Sequence, residues 1–285
     1  MHTTRSSAHV PPRLRPAMSH WAGLLAALLG AIVLPSCEEV IHIDLNSGDP
    51  ALVAEGYIEK DSLCNLSLTY TTDFYQPGDP QGIADALVRL RDDAGHEEVL
   101  TSLGEGRYRG STLRGEAGRT YTLEVELDGT LHSGESDLHE PPRILDIRSE
   151  DAPSSGPHGH GGAAAAHRLL HDRPGQPDDF LFQMVWNGTP IGDGYAIASD
   201  RYGSLGAVLE ASFLDTRIVY GDTVGFRIYA IDAATADYYT QLNEALGEGM
   251  PMSATPYNPT SNLGEGVMGY FMARSHTDTT YIVVE

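Results

Sequence analysis

Apolar and polar residues alternate over much of the chain from about residue 40 to residue 140. The clearest example is 121–127, Tyr-Thr-Leu-Glu-Val-Glu-Leu, in which every second residue is apolar. A period of two is typical of strands that bury one face. Gly, Asp, Asn and Pro separate such runs about every 8–12 residues, the spacing of short antiparallel strands. The fold class predicted for residues 37–142 is therefore all-β, a β-sandwich, with strands at 40–45, 52–58, 65–70, 87–91, 97–100 and 121–127.

Three segments of this region resemble the carboxypeptidase-regulatory and other transthyretin-like sandwiches. They are 86–95, 106–108 (Gly-Arg-Tyr) and 118–125 (Gly-Arg-Thr-Tyr-Thr-Leu-Glu-Val). The resemblance implies an Ig-like or transthyretin-like β-sandwich.

The pattern changes after Pro141-Pro142, a pair that stiffens the backbone. Beyond it the apolar runs are less regular, and residues 180–186 read Phe-Leu-Phe-Gln-Met-Val-Trp. A continuous apolar run of this length is typical of a strand buried on both faces. We therefore predict a second, mainly-β domain over residues 143–285. Its predicted strands are 180–186, 195–198, 217–220, 223–230, 266–273 and 281–284, with 217–220 and 223–230 forming a hairpin.

One segment, residues 232–246, has helical periodicity. Its apolar positions recur at spacings of three and four, and they are Tyr238, Tyr239, Leu242, Ala245 and Leu246. Asp232 is a favourable N-cap and Gly247 a favourable stop, so the sequence predicts one short helix between them. We interpret the two helix tyrosines as packing residues, with ligand stacking as the alternative.

The first 36 residues have the layout of a lipoprotein signal peptide. Basic residues precede an apolar run at 21–33, which is shorter than the roughly 20 residues that span a bilayer core. Leu34-Pro35-Ser36-Cys37 follows and resembles the bacterial lipobox, in which the cysteine becomes the acylated first residue of the mature chain. We predict cleavage after residue 36 and lipidation, palmitate included, at Cys37. An ordinary signal peptide is the alternative, and Met18 is an alternative start to Met1.

Charge narrows the range of partners. The chain has 40 Asp and Glu against 18 Lys and Arg, a formal net charge of −22. So acidic a protein is a poor partner for nucleic acid, and we expect no basic patch that binds anionic lipid. The prediction is that lipid on Cys37 is what attaches the protein to a membrane.

Cysteine usage excludes an internal disulfide if Cys37 is acylated, because the chain has only one other cysteine, Cys64. Cys64 alternates with polar residues on the face that also carries Leu66 and Leu68. We therefore predict a buried structural thiol rather than a reactive one.

Motifs for common reactions are not found in the sequence: there is no Gly-x-Ser-x-Gly elbow, zinc-binding His-Glu-x-x-His or P-loop. We therefore predict no catalytic residues and no cofactor. His158, His160 and His167 form the one cluster with metal-ligand chemistry. They lie in or beside residues 151–166, a stretch rich in Gly, Ala, Pro and Ser. This composition favours a mobile, solvated loop over a zinc site.

Three segments together resemble a known family. They are Cys37-Glu38-Glu39-x-Ile41-x-Ile43-Asp44-Leu45, then 52–56 (Leu-Val-Ala-Glu-Gly), then 258–271 (Asn-Pro-Thr-Ser-Asn-Leu-Gly-Glu-Gly-Val-Met-Gly-Tyr-Phe). On these three segments the chain is identified as a member of the Bacteroidota lipoprotein family called domain of unknown function 4249. Glu265 stands where family members tend to have glycine, and 151–166 resembles an insertion.

The family resemblance implies a location and a partner but no established activity. It implies an outer-membrane lipoprotein, on the cell surface or the periplasmic face, often encoded beside TonB-dependent receptors. Glu38 and Glu39 resemble the signal that sends such lipoproteins to the outer leaflet. Asn258 and Asn262 are our candidate partner contacts, and a turn that closes the core is the alternative for their segment.

From these observations we expect a non-catalytic binding or assembly partner of a TonB-dependent transport system. A surface glycan-binding or small-ligand-binding protein is the alternative, and a hydrolase with a site that no motif reveals is a third. A ligand-binding protein should show an aromatic platform or a pocket in its second half, whereas a hydrolase should show converging carboxylates or a Ser/His pair.

Overall fold

The computed structural model describes residues 50–73, 78–144, 147–151, 165–171, 179–199, 201, 209–211, 221–246 and 257–283. These residues form strands and one helix, which confirms the predicted all-β class. The expected signal peptide and the expected strand at 40–45 lie outside them, as do residues 152–164 of the expected loop.

The elements are β1 (Leu52–Glu59), β2 (Leu63–Tyr70), β3 (Leu87–Asp92), β4 (Glu97–Val99), β5 (Thr101–Gly104), β6 (Arg107–Arg114), β7 (Arg119–Leu127), β8 (Thr130–Leu138), β9 (Ile147–Asp151), β10 (Ala165–His171), β11 (Asp179–Trp186), β12 (Thr189–Ser199), β13 (Leu209–Ala211), β14 (Thr223–Ile231), α1 (Ala233–Ala245) and β15 (Val267–Ile282).

The described strands belong to three sheets. An eight-stranded sheet has the order β12-β11-β14-β15-β1-β2-β6-β5, a four-stranded sheet has the order β4-β3-β7-β8, and β13-β10-β9 form a third. Neighbouring strands are antiparallel except β1 and β15, which run parallel with Leu52 opposite Val267 and Glu59 opposite Arg274. The first and last described strands therefore lie side by side in the middle of the largest sheet.

A shared core joins the four-stranded sheet to the β1, β2, β6 and β15 part of the eight-stranded sheet. Its side chains include Ile58, Leu68, Leu123 and Phe271, all fully buried. Cys64 lies in this core and is also fully buried. The prediction of a buried structural thiol is therefore confirmed, and burial raises the pKa of this thiol well above the ordinary value.

A tyrosine secures the turn into the last hairpin of this sandwich. The hydroxyl of Tyr121 accepts a hydrogen bond from the Glu116 amide at 2.7 Å and donates to the Arg114 carbonyl at 3.3 Å. This is the arrangement of a tyrosine corner, in which a buried strand residue ties its hydroxyl to backbone a few residues upstream. It gives a physical reason for a tyrosine three residues after Gly118.

The last strand differs from the sequence prediction. The pattern predicted separate strands at 266–273 and 281–284, whereas β15 runs unbroken from Val267 to Ile282. Its first half pairs with β1 and its second half with β14. Because the partners of β15 change along its length, its burial pattern changes too. Residues 275–280 are polar, and for this reason the sequence pattern did not predict one continuous strand. Residues 48–285 form one compact unit. The division predicted at residue 142 stays a prediction, and the eight-stranded sheet contains strands from both sides of it.

β11 and β14 bury side chains on both faces, as the continuous apolar sequence of 180–186 predicted for β11. On one face Phe180, Phe182 and Ile228 of β11 and β14 form a second core. On the other face Leu181, Tyr229 and Ile231 pack beneath α1 with Ala236. Both edges of β14 are paired, one with β11 and the other with β15, and residues 217–220 lie outside the described residues. The predicted hairpin with 223–230 is therefore wrong.

The helix begins where the sequence predicted. Asp232 is the N-cap and accepts a hydrogen bond from the Thr235 amide at 2.7 Å. Its second carboxylate oxygen accepts from the Ser136 hydroxyl and from the Asp137 amide on β8, the latter at 3.0 Å. Ser136 in turn accepts from the Ala273 amide at 2.8 Å, so one carboxylate connects α1, β8 and β15. No helix in the described part of the chain has the length and apolar content needed to cross a membrane.

Candidate ligand-binding groove

The face of the eight-stranded sheet that carries α1 is only partly covered. The helix packs over β11, β14 and part of β15, and beside it lies a groove of about 480 Å³ floored by β1, β2 and β15. Register places Glu55 opposite Tyr270 and Tyr57 opposite Met272, so these side chains share the groove face. The volume is within the range of about 300–1,000 Å³ that is typical of small-molecule sites.

Tyrosines dominate the groove wall. The Tyr238 ring lies 4.7 Å from the Tyr270 ring at an interplanar angle of 32°, and it meets the Tyr239 ring edge-on at 5.4 Å. Tyr57 lies on the floor, half-buried, and Leu246 forms an exposed apolar edge. Burial raises the pKa of Tyr270, and burial with the charge of Glu55 raises that of Tyr238. Tyr238 and Tyr270 therefore stay neutral at ordinary pH, and the tyrosine side chains of the groove combine apolar rings with polar hydroxyl groups.

One arginine is held rigidly at the end of the groove. The Arg274 guanidinium lies over the Tyr57 ring at 4.2 Å and over the Tyr229 ring at 4.3 Å. Its Nε donates to Glu59 Oε2 at 2.9 Å, and His276 Nδ1 lies 3.1 Å from the other oxygen of Glu59. Two cation–π contacts and an ion pair fix the position of the charge.

A second pocket adjoins the groove at this arginine. It has a volume of about 340 Å³, and Tyr57 and Arg274 line both spaces. Its other lining residues include Arg109, Arg114 and Arg227, together with Asn65 on β2. Apolar ring faces thus stand at one end of a continuous surface and guanidinium groups at the other. This arrangement suits a ligand with a flat apolar face, hydroxyl groups and a negative charge.

Most of the site residues predicted from the sequence lie outside the described residues. These are Cys37, Glu38, Glu39, His158 and His160. His167 lies on β10, where its backbone is paired with that of Ser149 on β9. In the described ranges no three His, Cys, Asp or Glu side chains are grouped to hold a metal ion. The lipidation, sorting and metal-site hypotheses remain predictions.

The two candidate contact asparagines have different surroundings. Asn262 is half-buried: its Oδ1 accepts from the Phe271 amide at 3.0 Å, and its Nδ2 donates to the Phe271 carbonyl at 2.8 Å and the Glu135 carbonyl at 3.0 Å. These bonds fasten the loop before β15 to the sandwich, as a core-closing turn requires. Asn258 is exposed.

Sequence reasoning found part of this groove. Tyr238 and Tyr239 were interpreted as packing residues, and both pack against neighbouring rings while also lining the groove. Tyr57, Tyr270 and Arg274 were missed. One signal was present: Glu55, Tyr57 and Glu59 occupy the polar face of β1, and an aromatic residue among them is unusual on a solvated face.

A family model described as "Domain of unknown function (DUF4249)" matches residues 38–280. No curated protein sequence matches the chain significantly. Similar solved structures include the Yersinia pseudotuberculosis adhesin InvE, with 15% identity and a TM-score of 0.20 over 64% of this chain and 55% of that one. Another contains domains from titin, with 9% identity and a TM-score of 0.18 over 65% of this chain and 61% of that one. The chain thus spans a little over half of the adhesin that it matches.

Proposed function

Because this chain belongs to the family described as domain of unknown function DUF4249, we propose that it is a lipid-anchored, non-catalytic binding protein of the outer membrane. Its groove beside α1 binds a saccharide and presents it to a TonB-dependent receptor. The observation that carries the proposal is the groove wall of four tyrosines with a fixed arginine at its end.

The groove chemistry supports a saccharide. A pyranose ring has apolar C–H faces, which stack on aromatic rings, and hydroxyl groups around its edge. Tyr57 and Tyr238 supply ring faces, while Glu55, Ser67 and Asn243 supply polar atoms along the same groove. A few polar groups in a mainly aromatic lining are typical of sites that orient a small ligand.

The sequence supports the anchoring. Cys37 occupies the position that a lipobox requires, and several acyl chains together give stable membrane attachment. β1 begins 15 residues after Cys37, so the sheet lies within about 50 Å of the bilayer even if that segment is fully extended. Confinement near a membrane-embedded receptor raises the local concentration, so a modest contact suffices for association.

Cys37→Ala is expected to release the protein from the membrane without unfolding it, because residue 37 precedes the compact unit that begins at residue 48. The measurement is the fraction of protein in the pellet after a carbonate wash, with Cys64→Ala as the matched cysteine control. The anchoring proposal fails if the Cys37→Ala protein stays in the pellet while remaining folded.

The groove is tested by Tyr57→Ala in the full-length protein purified in detergent. We expect affinity for a bound oligosaccharide to fall at least tenfold, because the ring on the floor is lost. Calorimetric titration with a panel of neutral and acidic oligosaccharides measures this. Tyr257→Ala is the control, since Tyr257 is exposed and does not line the groove. Equal affinities for both variants and the wild type would place the ligand elsewhere.

A further inference from the structure

Arginines are concentrated at one end of the groove of this acidic protein. Four of the 18 basic residues in the whole chain, Arg109, Arg114, Arg227 and Arg274, line the pocket next to the tyrosines. One acidic residue, Glu59, lines the same pocket. The local charge is therefore opposite to the net charge of −22.

Two of these arginines already have carboxylate partners. Arg274 pairs with Glu59, and Arg227 makes two hydrogen bonds to Asp278 at 2.7 and 2.8 Å. These bonds raise the pKa of Arg227 and lower that of Asp278, so both stay charged across the ordinary pH range. The two pairs are neutral overall and hold their arginines in place.

The other two arginines are not neutralised within the described part of the chain. Arg114 donates to the Asp61 carbonyl at 2.8 Å, which fixes its position without cancelling its charge. Arg109 is exposed and has no side-chain partner among the described residues, and register places it opposite Asn65. Two positive charges thus remain for a ligand.

Resting on the proposed saccharide-binding function, we infer that this arginine pocket is an anion subsite and that the ligand is an acidic saccharide with a carboxylate on its ring. Guanidinium groups bind carboxylates through paired N–H donors, and Arg does this better than Lys. Arg109 and Arg114 contact the carboxylate, and Arg274 marks the junction with the tyrosines.

The distance between the tyrosine groove and the arginine pocket fits two neighbouring sugar units. Ser67 lines the tyrosine groove and Asn65 lines the arginine pocket, both on the same face of β2. Residues two apart on a strand are separated by about 7 Å. A ring on the tyrosines therefore places the carboxylate of an adjacent ring beside Arg109.

The experiment compares a trigalacturonate with its methyl ester, which has the same sugar rings and no charge. Affinities are measured by calorimetry on the full-length protein in detergent at about 0.15 M salt, where the Debye length is about 8 Å and long-range repulsion is weak. We expect the wild type to bind the acid at least tenfold more tightly than the ester. The double variant Arg109→Gln/Arg114→Gln should lose that preference and keep its affinity for the ester.

Arg107→Gln is the matched control, because Arg107 is an exposed residue of the same strand that pairs with Glu105 and does not line the pocket. It should leave both affinities unchanged. If acid and ester bind equally and Tyr57→Ala removes both, the anion subsite is wrong and the saccharide groove stands. If the wild type binds neither the acid nor the ester, the inference is also wrong, and the wider oligosaccharide panel with Tyr57→Ala still decides the proposed function.

Discussion

Gly269→Ala is expected to lower the free energy of unfolding by about 3–5 kcal/mol. Gly269 has φ = 83°, and a Cβ there would lie 2.3 Å from the Ala54 carbonyl oxygen, across the parallel pairing of β1 with β15. A side chain at positive φ costs about 1–3 kcal/mol, and forcing atoms into a packed region costs a similar amount. For a protein of this size the melting temperature should fall by about 6–20 °C. Thermal unfolding followed by circular dichroism measures the change.

Gly264→Ala separates the cost of a side chain at positive φ from the cost of the close contact between β15 and β1. Gly264 also has positive φ, at 100°, but nothing lies within 4 Å of its added Cβ. This variant should show the backbone cost alone, about 1–2 kcal/mol. If both variants lose the same stability, the close approach of β1 and β15 contributes nothing, and our account of Gly269 is wrong.

Asp232→Ala is expected to lower the free energy of unfolding by about 3–4 kcal/mol and to weaken saccharide binding. The substitution removes the N-cap of α1, worth about 1 kcal/mol. It also leaves the Ser136 hydroxyl and the Asp137 amide without their acceptor, and a buried unsatisfied donor costs about 1–3 kcal/mol. Because α1 carries Tyr238 and Tyr239, loosening its first turn should also disturb the groove. Chemical denaturation and saccharide titration measure the two effects.

Asp237→Ala is the matched control on the same helix. Asp237 is exposed and pairs at 2.8 Å with the half-buried Arg201, which keeps Asp179 as its second partner, so the loss of this ion pair should cost about 0–1 kcal/mol. Asp232→Asn should give an intermediate loss, since its amide oxygen can still accept from Thr235. An Asp232→Ala protein as stable as the Asp237→Ala protein would contradict the role assigned to this carboxylate.

The sequence predicted those features of the fold that depend on residues close to one another along the chain. Alternation located β1, β2, β3 and β7, and capping residues located α1 to within a residue at its start. The burial of Cys64 followed from its place in the same alternation. These features succeed because strand periodicity and helix capping are local, and no distant segment overrides them here.

The groove depends on contacts between distant segments and was therefore not predicted. Tyr57 and Arg274 meet only because β1 lies parallel to β15, which residue spacing alone does not reveal. The same pairing explains why β15 was divided into two predicted strands. The arginine pocket was also missed, because Arg109, Arg227 and Arg274 come from distant segments of a chain that has 40 acidic residues.

The parallel pairing of β1 with β15 also sets the order in which the chain folds. The Arg274–Glu59 ion pair that accompanies it spans 215 residues. β15 follows β1 by about 200 residues, so both synthesis and export of the chain deliver β1 before β15. Until β15 arrives, β1 can pair with β2 on one edge only, and its open edge is a template for association with other chains. High contact order makes the final step slow as well. We therefore expect the central sheet to close last, and the edge of β1 stays open to other chains until then.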